Sequence, residues 1–286
     1  LPENRGAVPV LRDAVVEELV RMALAEDVGE GDITSEATVD AGRTALARIK
    51  ANAPGVLVGI KVAEAVFHAV DSSLDFEAAR LDGSHLAAGD HVAVIGGHAR
   101  SLLAAERTAL NFLQHLSGVA TTTAEAVLAL KGTGVRLLDT RKTTPAMRAL
   151  EKYAVTMGGG VNHRQGLYDM FLVKENHIAL AGGVAAAVAA CRAHRPGVRL
   201  EVEVRNLVEL DQALAAGVDR VMLDNFTPAQ AIEGVGRASG RAEVEISGGV
   251  TAGNLRAYAA AHPDFISVGF ITHSAPALDM SLSLLV

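Results

Sequence analysis

The sequence predicts an α/β protein: an irregular α/β barrel preceded by a smaller N-terminal α/β sandwich domain. Three observations lead there. From about Val135 onward, a short apolar strand followed by a helical stretch recurs. Ahead of that the order is helix, a mixed strand region, and helix. The residues that close the recurring strands are mostly charged, polar or glycine. Alternating strands and helices force parallel strands with right-handed crossovers. Six or more such units curl into a barrel or near-barrel, with a doubly wound open sheet as the alternative.

Taken in order, Leu11 to Glu26 places Val15, Val16, Leu19, Val20, Ala23 and Leu24 at helical spacing, and Gly29 and Gly31 end the helix. Gly31-Asp32-Ile33-Thr34-Ser35 reads as a polar turn. Thr44 to Lys50 alternates with period two, as a half-buried strand does, and further strands are expected at Gly55 to Val58, Leu74 to Arg80 and His91 to Gly96. Ser101 to Leu116 and Thr121 to Leu130 read as two helices broken at Ser117-Gly118. The domain boundary is placed there, giving 1–116 and 117–286, with the C-terminal tail able to return to the sandwich. The barrel strands are Val135 to Asp139, Met170 to Lys174, Leu200 to Val204, Arg220 to Asp224, Glu243 to Ser247 and Phe265 to Gly269. Helices follow at Val184 to Ala193, Leu207 to Ala216, Pro228 to Ala238 and Leu255 to Ala261, with Asn206, Thr227 and Thr251 as capping residues.

Composition narrows the function. Apolar stretches are short and interrupted, so no membrane span is expected. Leu1 to Val10 carries Pro2, Glu3, Arg5 and Pro9 where a secretory signal needs an apolar run, and reads as a loose leader to a cytoplasmic protein. Cys191 is the single cysteine, which excludes an intrachain disulfide and a multi-cysteine metal site; it reads as a small buried apolar residue. A net charge of −7 and the absence of Trp argue against a nucleic-acid surface. Yet between Arg136 and His177 seven Lys/Arg face four acids, in a chain with 26 against 33 overall. A local cationic excess in an acidic protein points to a small polyanionic ligand.

In a parallel barrel the ligand lies at the carboxyl ends of the strands. Those ends read Asp139-Thr140-Arg141-Lys142-Thr143, then Lys174-Glu175-Asn176-His177, then Glu201 and Glu203, then Asp224-Asn225, then Ser247-Gly248-Gly249, and finally Gly269 before Thr272-His273-Ser274. Any one could be a solvated loop, but six complementary ends facing one mouth read as a site. The glycines let backbone N–H groups approach a phosphate. Gly158-Gly159-Gly160 would cost roughly 1 kcal/mol each inside a helix, so a loop bringing His163 and Arg164 to a ligand explains them better. Arg107, on a helix outside the repeat, reads from its position alone as a surface charge.

At Asp139 to Thr143, Gly158 to Arg164, Lys174 to His177 and Asp224-Asn225-Phe226 the sequence closely resembles the quinolinate phosphoribosyltransferase family, and the likeness runs from about Gly31 to Ser274. The resemblance implies a homodimer, possibly a higher oligomer, with a shared active site in which Arg107 crosses to the neighbour's substrate. It implies that Arg141, His163, Arg164, Lys174 and the neighbour's Arg107 hold the two carboxylates of quinolinate, and that Lys142 holds the pyrophosphate of phosphoribosyl pyrophosphate. Glu203 and Asp224 resemble the acidic pair that faces the ribose hydroxyls and Mg²⁺. Ser247, Gly248, Gly249 and Gly269 resemble the 5′-phosphate cradle, and the resemblance implies that Val268 and Phe270 also bind substrate. No organic cofactor is expected. Two departures stand out: Phe270 where the family usually has Ala, and Ala146 where Gly is common.

The implied reaction gives nicotinate mononucleotide, pyrophosphate and CO2. Three other readings compete: a nicotinate phosphoribosyltransferase, whose substrate has one carboxylate; a sibling associated with molybdate transport; and a non-catalytic phosphosugar-binding barrel. The size of the cationic cluster favours the diacid, and the acid pair Glu203 and Asp224 beside it favours catalysis over binding alone.

Overall fold

The computed structural model describes residues 11–285, so the expected leader lies outside the described residues. In chain order the elements begin with α1 (Asp13–Asp27), α2 (Ile33–Thr38), β1 (Thr44–Ala51), β2 (Gly55–Val56), α3 (Ile60–Val70), β3 (Asp75–Ala78), β4 (His85–Leu86), β5 (His91–His98) and α4 (Ala99–Ala129). They continue with β6 (Arg136–Leu138), α5 (Arg148–Met157), β7 (Phe171–Val173), α6 (Glu175–Ala181), α7 (Val184–His194), β8 (Leu200–Val204) and α8 (Leu207–Ala215). The last are β9 (Arg220–Asp224), α9 (Pro228–Ala238), β10 (Glu243–Ser247), α10 (Leu255–Ala259), β11 (Phe265–Ser267), α11 (Phe270–His273) and β12 (Met280–Leu285). The chain divides into two compact units. One comprises the chain to Ala124, Thr143–Gly159 and the segment from Ile271; the other comprises Glu125–Lys142 and Gly160–Phe270.

In the first unit an antiparallel sheet of order β12-β1-β5-β3 is accompanied by α3. The period-two pattern of β1 buries Ala47, Ile49 and Ala51, and α3 buries Ile60, Val62, Ala63, Val66 and Phe67. Each large side chain so enclosed is worth about 1.5–3 kcal/mol against leaving it in water. The expected break in the long helix is absent: α4 runs through Ser117 and Gly118. The pair serves packing instead. A Cβ on Gly118 would sit 2.1 Å from the Pro276 carbonyl oxygen, and Ser117 Oγ donates to the Val58 carbonyl while accepting from the Val58 N–H at 2.9 Å. The expected polar turn at Asp32 is the start of α2, where the Asp32 carboxylate accepts from the N–H groups of Thr34 and Ser35.

In the second unit six parallel strands take the order β6-β11-β10-β9-β8-β7. β6 and β7 are the edges, and Leu138 bridges to Val161 beyond β6. At about 4.8 Å per strand, β6 and β8 would lie roughly 19 Å apart in a flat sheet. Yet the backbone N–H of His163 donates to Asp139, just after β6, at 2.7 Å, while its side chain lies 3.0 Å from Glu201 of β8. One residue reaches both only because the sheet curls, which is the irregular barrel that the alternating pattern predicts. Caps at Asn206 and Thr227 bond as expected, but Thr251 caps nothing: its own N–H donates to Asn254 at the start of α10. No single helix among the described residues is long and apolar enough to cross a membrane.

Candidate active site

The curled sheet presents its inward side chains in ranks two residues apart, about 6.7 Å along each strand. β9 contributes Arg220, Met222 and Asp224; β10 contributes Glu243, Glu245 and Ser247; β8 contributes Glu201 and Glu203. The pairing sets Ser247 against Asp224, Glu245 and Glu203 against Met222, and Glu243 and Glu201 against Arg220.

The upper rank opens into a cavity of about 550 Å³ at the carboxyl ends of the strands. Arg141, Lys142, His163, Arg164, Lys174, Glu203, Asp224, Ser247, Gly248 and Gly249 all line it. Lys142 is placed by a tight turn in which its N–H donates to Thr140 Oγ1 at 2.9 Å. Lys174, the last residue before α6, pairs with Glu203. His177, four residues into that motif, accepts from the Lys174 N–H through Nδ1 at 3.0 Å and so caps α6. Burial lowers the pKa of Arg164, and the neighbouring Arg141 lowers it further. Its Nε is buried with no hydrogen-bond partner among the described residues. Two guanidiniums that repel each other, one with an unanswered N–H, make a subsite that an anion with two carboxylates would relieve.

The glycine turn is shaped by sterics. Gly248 and Gly249 have φ of +82° and +65°, and a Cβ on Gly248 would fall 2.4 Å from Asn225 Oδ1 and 2.8 Å from the Asn225 nitrogen. Asn225, itself at φ 57°, donates from its N–H to the Ser247 carbonyl and from Nδ2 to Asp224 Oδ2. The turn after β10 is thus pressed against the turn after β9, beside Asp224. Glu203 and Asp224 offer only carboxylate oxygens on adjacent strands, a donor set that fits Mg²⁺, which takes one or two carboxylates and fills its octahedron with water and phosphate.

Not every expected residue is brought here. Val268, Gly269 and Phe270 are outside the cavity lining; Val268 is buried and donates to the Leu138 carbonyl, and Phe270 opens α11. Arg107 is exposed on α4 in the first unit. Cys191, expected to be buried, is half-buried on α7. The expectation also missed Leu172, Met222, Glu245 and Ser267, all of which line the cavity. The signal that finds them is strand alternation: each stands two residues before a position already singled out, Lys174, Asp224, Ser247 and Gly269.

Below the mouth lies a rank of buried charge. His163 Nε2 is 3.0 Å from Glu201 Oε2 and 3.4 Å from Glu245 Oε2, and Arg220 Nη1 donates to Glu245 at 3.2 Å. Arg220 also reaches Glu243, and its guanidinium and that of Arg136 stack on Phe265 at 4.0 and 4.1 Å. Burial lowers the pKa of His163, but Glu201 and Glu245 outweigh it and hold it up to about 9. The Arg164 N–H points at His163 Nδ1 from 2.8 Å, which leaves that nitrogen as an acceptor. Burial and then Glu245 raise the pKa of Glu201 to about 7, with His163 and Arg220 pulling against them. The side chains of His163, Glu201 and Glu245 are close enough to hold a cation, but Arg220 already supplies one to Glu245.

Comparison with known proteins agrees with this geometry. Sequence profiles of the quinolinate phosphoribosyl transferase N-terminal and C-terminal domains match residues 32–117 and 119–283. The chain is 42% identical over 276 residues to the nicotinate-nucleotide pyrophosphorylase [carboxylating] of Mycobacterium leprae, covering 93% of this chain and 96% of that one. It is 38% identical over 271 residues to a probable enzyme of the same name from Bacillus subtilis, covering 93% and 92%. The solved nicotinate-nucleotide pyrophosphorylase of Francisella tularensis superposes with a TM-score of 0.95 at 40% identity, covering 99% of this chain and 100% of that one.

Proposed function

The chain belongs to the quinolinate phosphoribosyltransferase family, and we propose that the cavity described above is where it joins quinolinate to phosphoribosyl pyrophosphate, releasing pyrophosphate and CO2 to give nicotinate mononucleotide. One observation carries the assignment: four cations, Arg141, Lys142, Arg164 and Lys174, converge with two carboxylates and a glycine turn on one cavity.

The division of labour follows from charge. Arg141 and Arg164, with Lys174, face the two ring carboxylates and fix the pyridine nitrogen toward the sugar. The Ser247-Gly248-Gly249 turn takes the 5′-phosphate. As pyrophosphate leaves, C1′ acquires oxocarbenium character; Lys142 stabilises the departing charge, and Glu203 and Asp224 favour the cationic sugar. Mg²⁺ held by Glu203 and Asp224 would neutralise phosphate charge when bound. Attack by the ring nitrogen gives an N-ribosyl pyridinium. Its positive ring accepts the electron pair left when the C2 carboxylate departs as CO2, and a proton then replaces it, so the step calls on no organic cofactor.

Product analysis tests the assignment. Purified protein mixed with phosphoribosyl pyrophosphate, Mg²⁺ and quinolinate yields nicotinate mononucleotide and CO2, and nicotinate in place of quinolinate yields none. Turnover of nicotinate alone would move the chain to the monocarboxylate reading.

Arg107 enters through a second copy. We propose a homodimer in which Arg107 of the partner subunit completes the dicarboxylate pocket, supported by its exposure on α4 and by the family resemblance. Mixing inactive Arg107→Ala and Lys142→Ala subunits then restores activity, because one site of the mixed dimer has both residues. Mixtures that stay inactive after subunit exchange would count against sharing.

A further inference from the structure

We infer that Glu201 and Glu245 are positioning residues of this reaction: acting through His163, they fix the loop that presents Arg164 to the dicarboxylate. The inference rests on the dicarboxylate reading of the cavity and adds to it a rank of residues that need not touch substrate.

The ring of His163 is engaged by the protein at both nitrogens. Nδ1 accepts from the Arg164 N–H at 2.8 Å, and Nε2 faces Glu201 at 3.0 Å and Glu245 at 3.4 Å. The backbone N–H of His163 donates to Asp139 at 2.7 Å. The side chain is 6% exposed, and those of both glutamates are fully enclosed. His163 therefore works as a peg, tied to the end of β6, to β8 and to β10, with the next residue hung from its ring. That residue is Arg164, whose Nη1 donates to the Met170 carbonyl at 3.3 Å while Nε has no partner among the described residues. An N–H held ready in this way is useful only if the loop carrying it cannot drift.

The two acids are also oversupplied for a purely structural bond. One Nε2–H confronts two carboxylates, and Oε1 of each glutamate is buried with no hydrogen-bond partner among the described residues. Such an arrangement costs stability. Arg220 offsets part of it at Glu245. What the arrangement supplies is direction: acceptors on two different strands fix the plane of the imidazole, and with it the Nδ1 to which the Arg164 backbone is bonded. A misplacement of about 1 Å in a substrate-positioning group can cost two orders of magnitude in rate.

The test is a split of Michaelis constants in the full-length protein. Glu201→Ala should raise KM for quinolinate by about tenfold or more, with KM for phosphoribosyl pyrophosphate within about twofold of the unchanged protein. Glu201→Gln, whose amide oxygen still accepts from Nε2–H, should recover most of that loss. Should Glu201→Ala fail to fold, Glu201→Met, which removes the acceptor while filling the space, gives the same test. A parallel rise in both constants, an unchanged KM for quinolinate, or a Gln variant no better than Ala would each overturn the positioning role. If the unchanged protein turns over no quinolinate, the dicarboxylate reading falls first; a working enzyme without the split removes this inference alone.

Discussion

The sheets of the two units enclose opposite things. The four-stranded antiparallel sheet of the first unit encloses Ala47, Ile49, Ala93 and Ile95, with Phe67 among the buried residues of α3. The curled parallel sheet of the second encloses Glu201, Glu245, Arg220 and His163. A sheet that covers one face with a helix is held by area removed from water. A barrel interior is lined by strands on every side, so charges there can be answered by charges on other strands, and the stack ends at the mouth in the residues assigned to the reaction. Burial in the first unit makes the fold; in the second, part of the stability is exchanged for geometry.

That contrast can be broken by mutation. The largest effect is expected where charge meets substrate: Lys142→Ala and Arg164→Ala should each lower kcat/KM by about 10²–10³-fold, with the thermal midpoint nearly unchanged, as steady-state kinetics beside calorimetry would show. Unchanged turnover in both would dissolve the site assignment. Next comes Glu245→Ala, which leaves Arg220 with Glu243 alone and opens a cavity in the buried rank, and should cost about 3 kcal/mol in chemical denaturation. A cost under about 1 kcal/mol would mean that the buried rank is not paired as described. In the first unit, Gly118→Ala drives a methyl into the Pro276 carbonyl and should cost about 1–3 kcal/mol without altering KM for either substrate.

Smaller effects sharpen the same contrast. Ala146 has φ 64° in the first unit, a conformation that suits Gly. Ala146→Gly should therefore stabilise by about 0.5–1 kcal/mol, the relief of the left-handed strain less the entropy that Gly adds to the unfolded chain. The smallest signal is in pH. Glu201 binds its proton more tightly folded than unfolded, so its contribution is complete below the ordinary glutamate value of 4.5 and is lost as pH rises through about 7. Glu201→Gln removes that loss, so its thermal midpoint should gain on the unchanged protein as pH rises from about 5 to about 8. A constant difference would show that Glu201 titrates normally.

Sequence reasoning reached the parallel strands closely because period-two apolar runs bounded by polar residues leave little freedom; Leu200–Val204, Arg220–Asp224 and Glu243–Ser247 are observed where they were expected. It missed α3 because Ile60 to Val70 sits between short strands and carries little polar contrast, and it broke α4 because Ser-Gly within a helix is explained only by the tail lying against Gly118. In the site, residues that end strands were legible from their chemistry. Glu201 was seen in the strand but given no role, and Glu245 was passed over, because a carboxylate inside a strand declares nothing until the curl brings His163 against it. The expectation that Val268 and Phe270 bind substrate came from the resemblance, and these two residues, with Gly269, are not among those lining the cavity.

Strand alternation also sets a rule for re-engineering. Because Glu201 and Glu203, or Glu245 and Ser247, share a strand face two residues apart, a library that randomises only ligand-contacting positions leaves the supporting layer intact and searches new specificities on a fixed foundation. A library that follows the strands inward would change the foundation together with the specificity, and most of its members would fail for reasons unrelated to the ligand being sought.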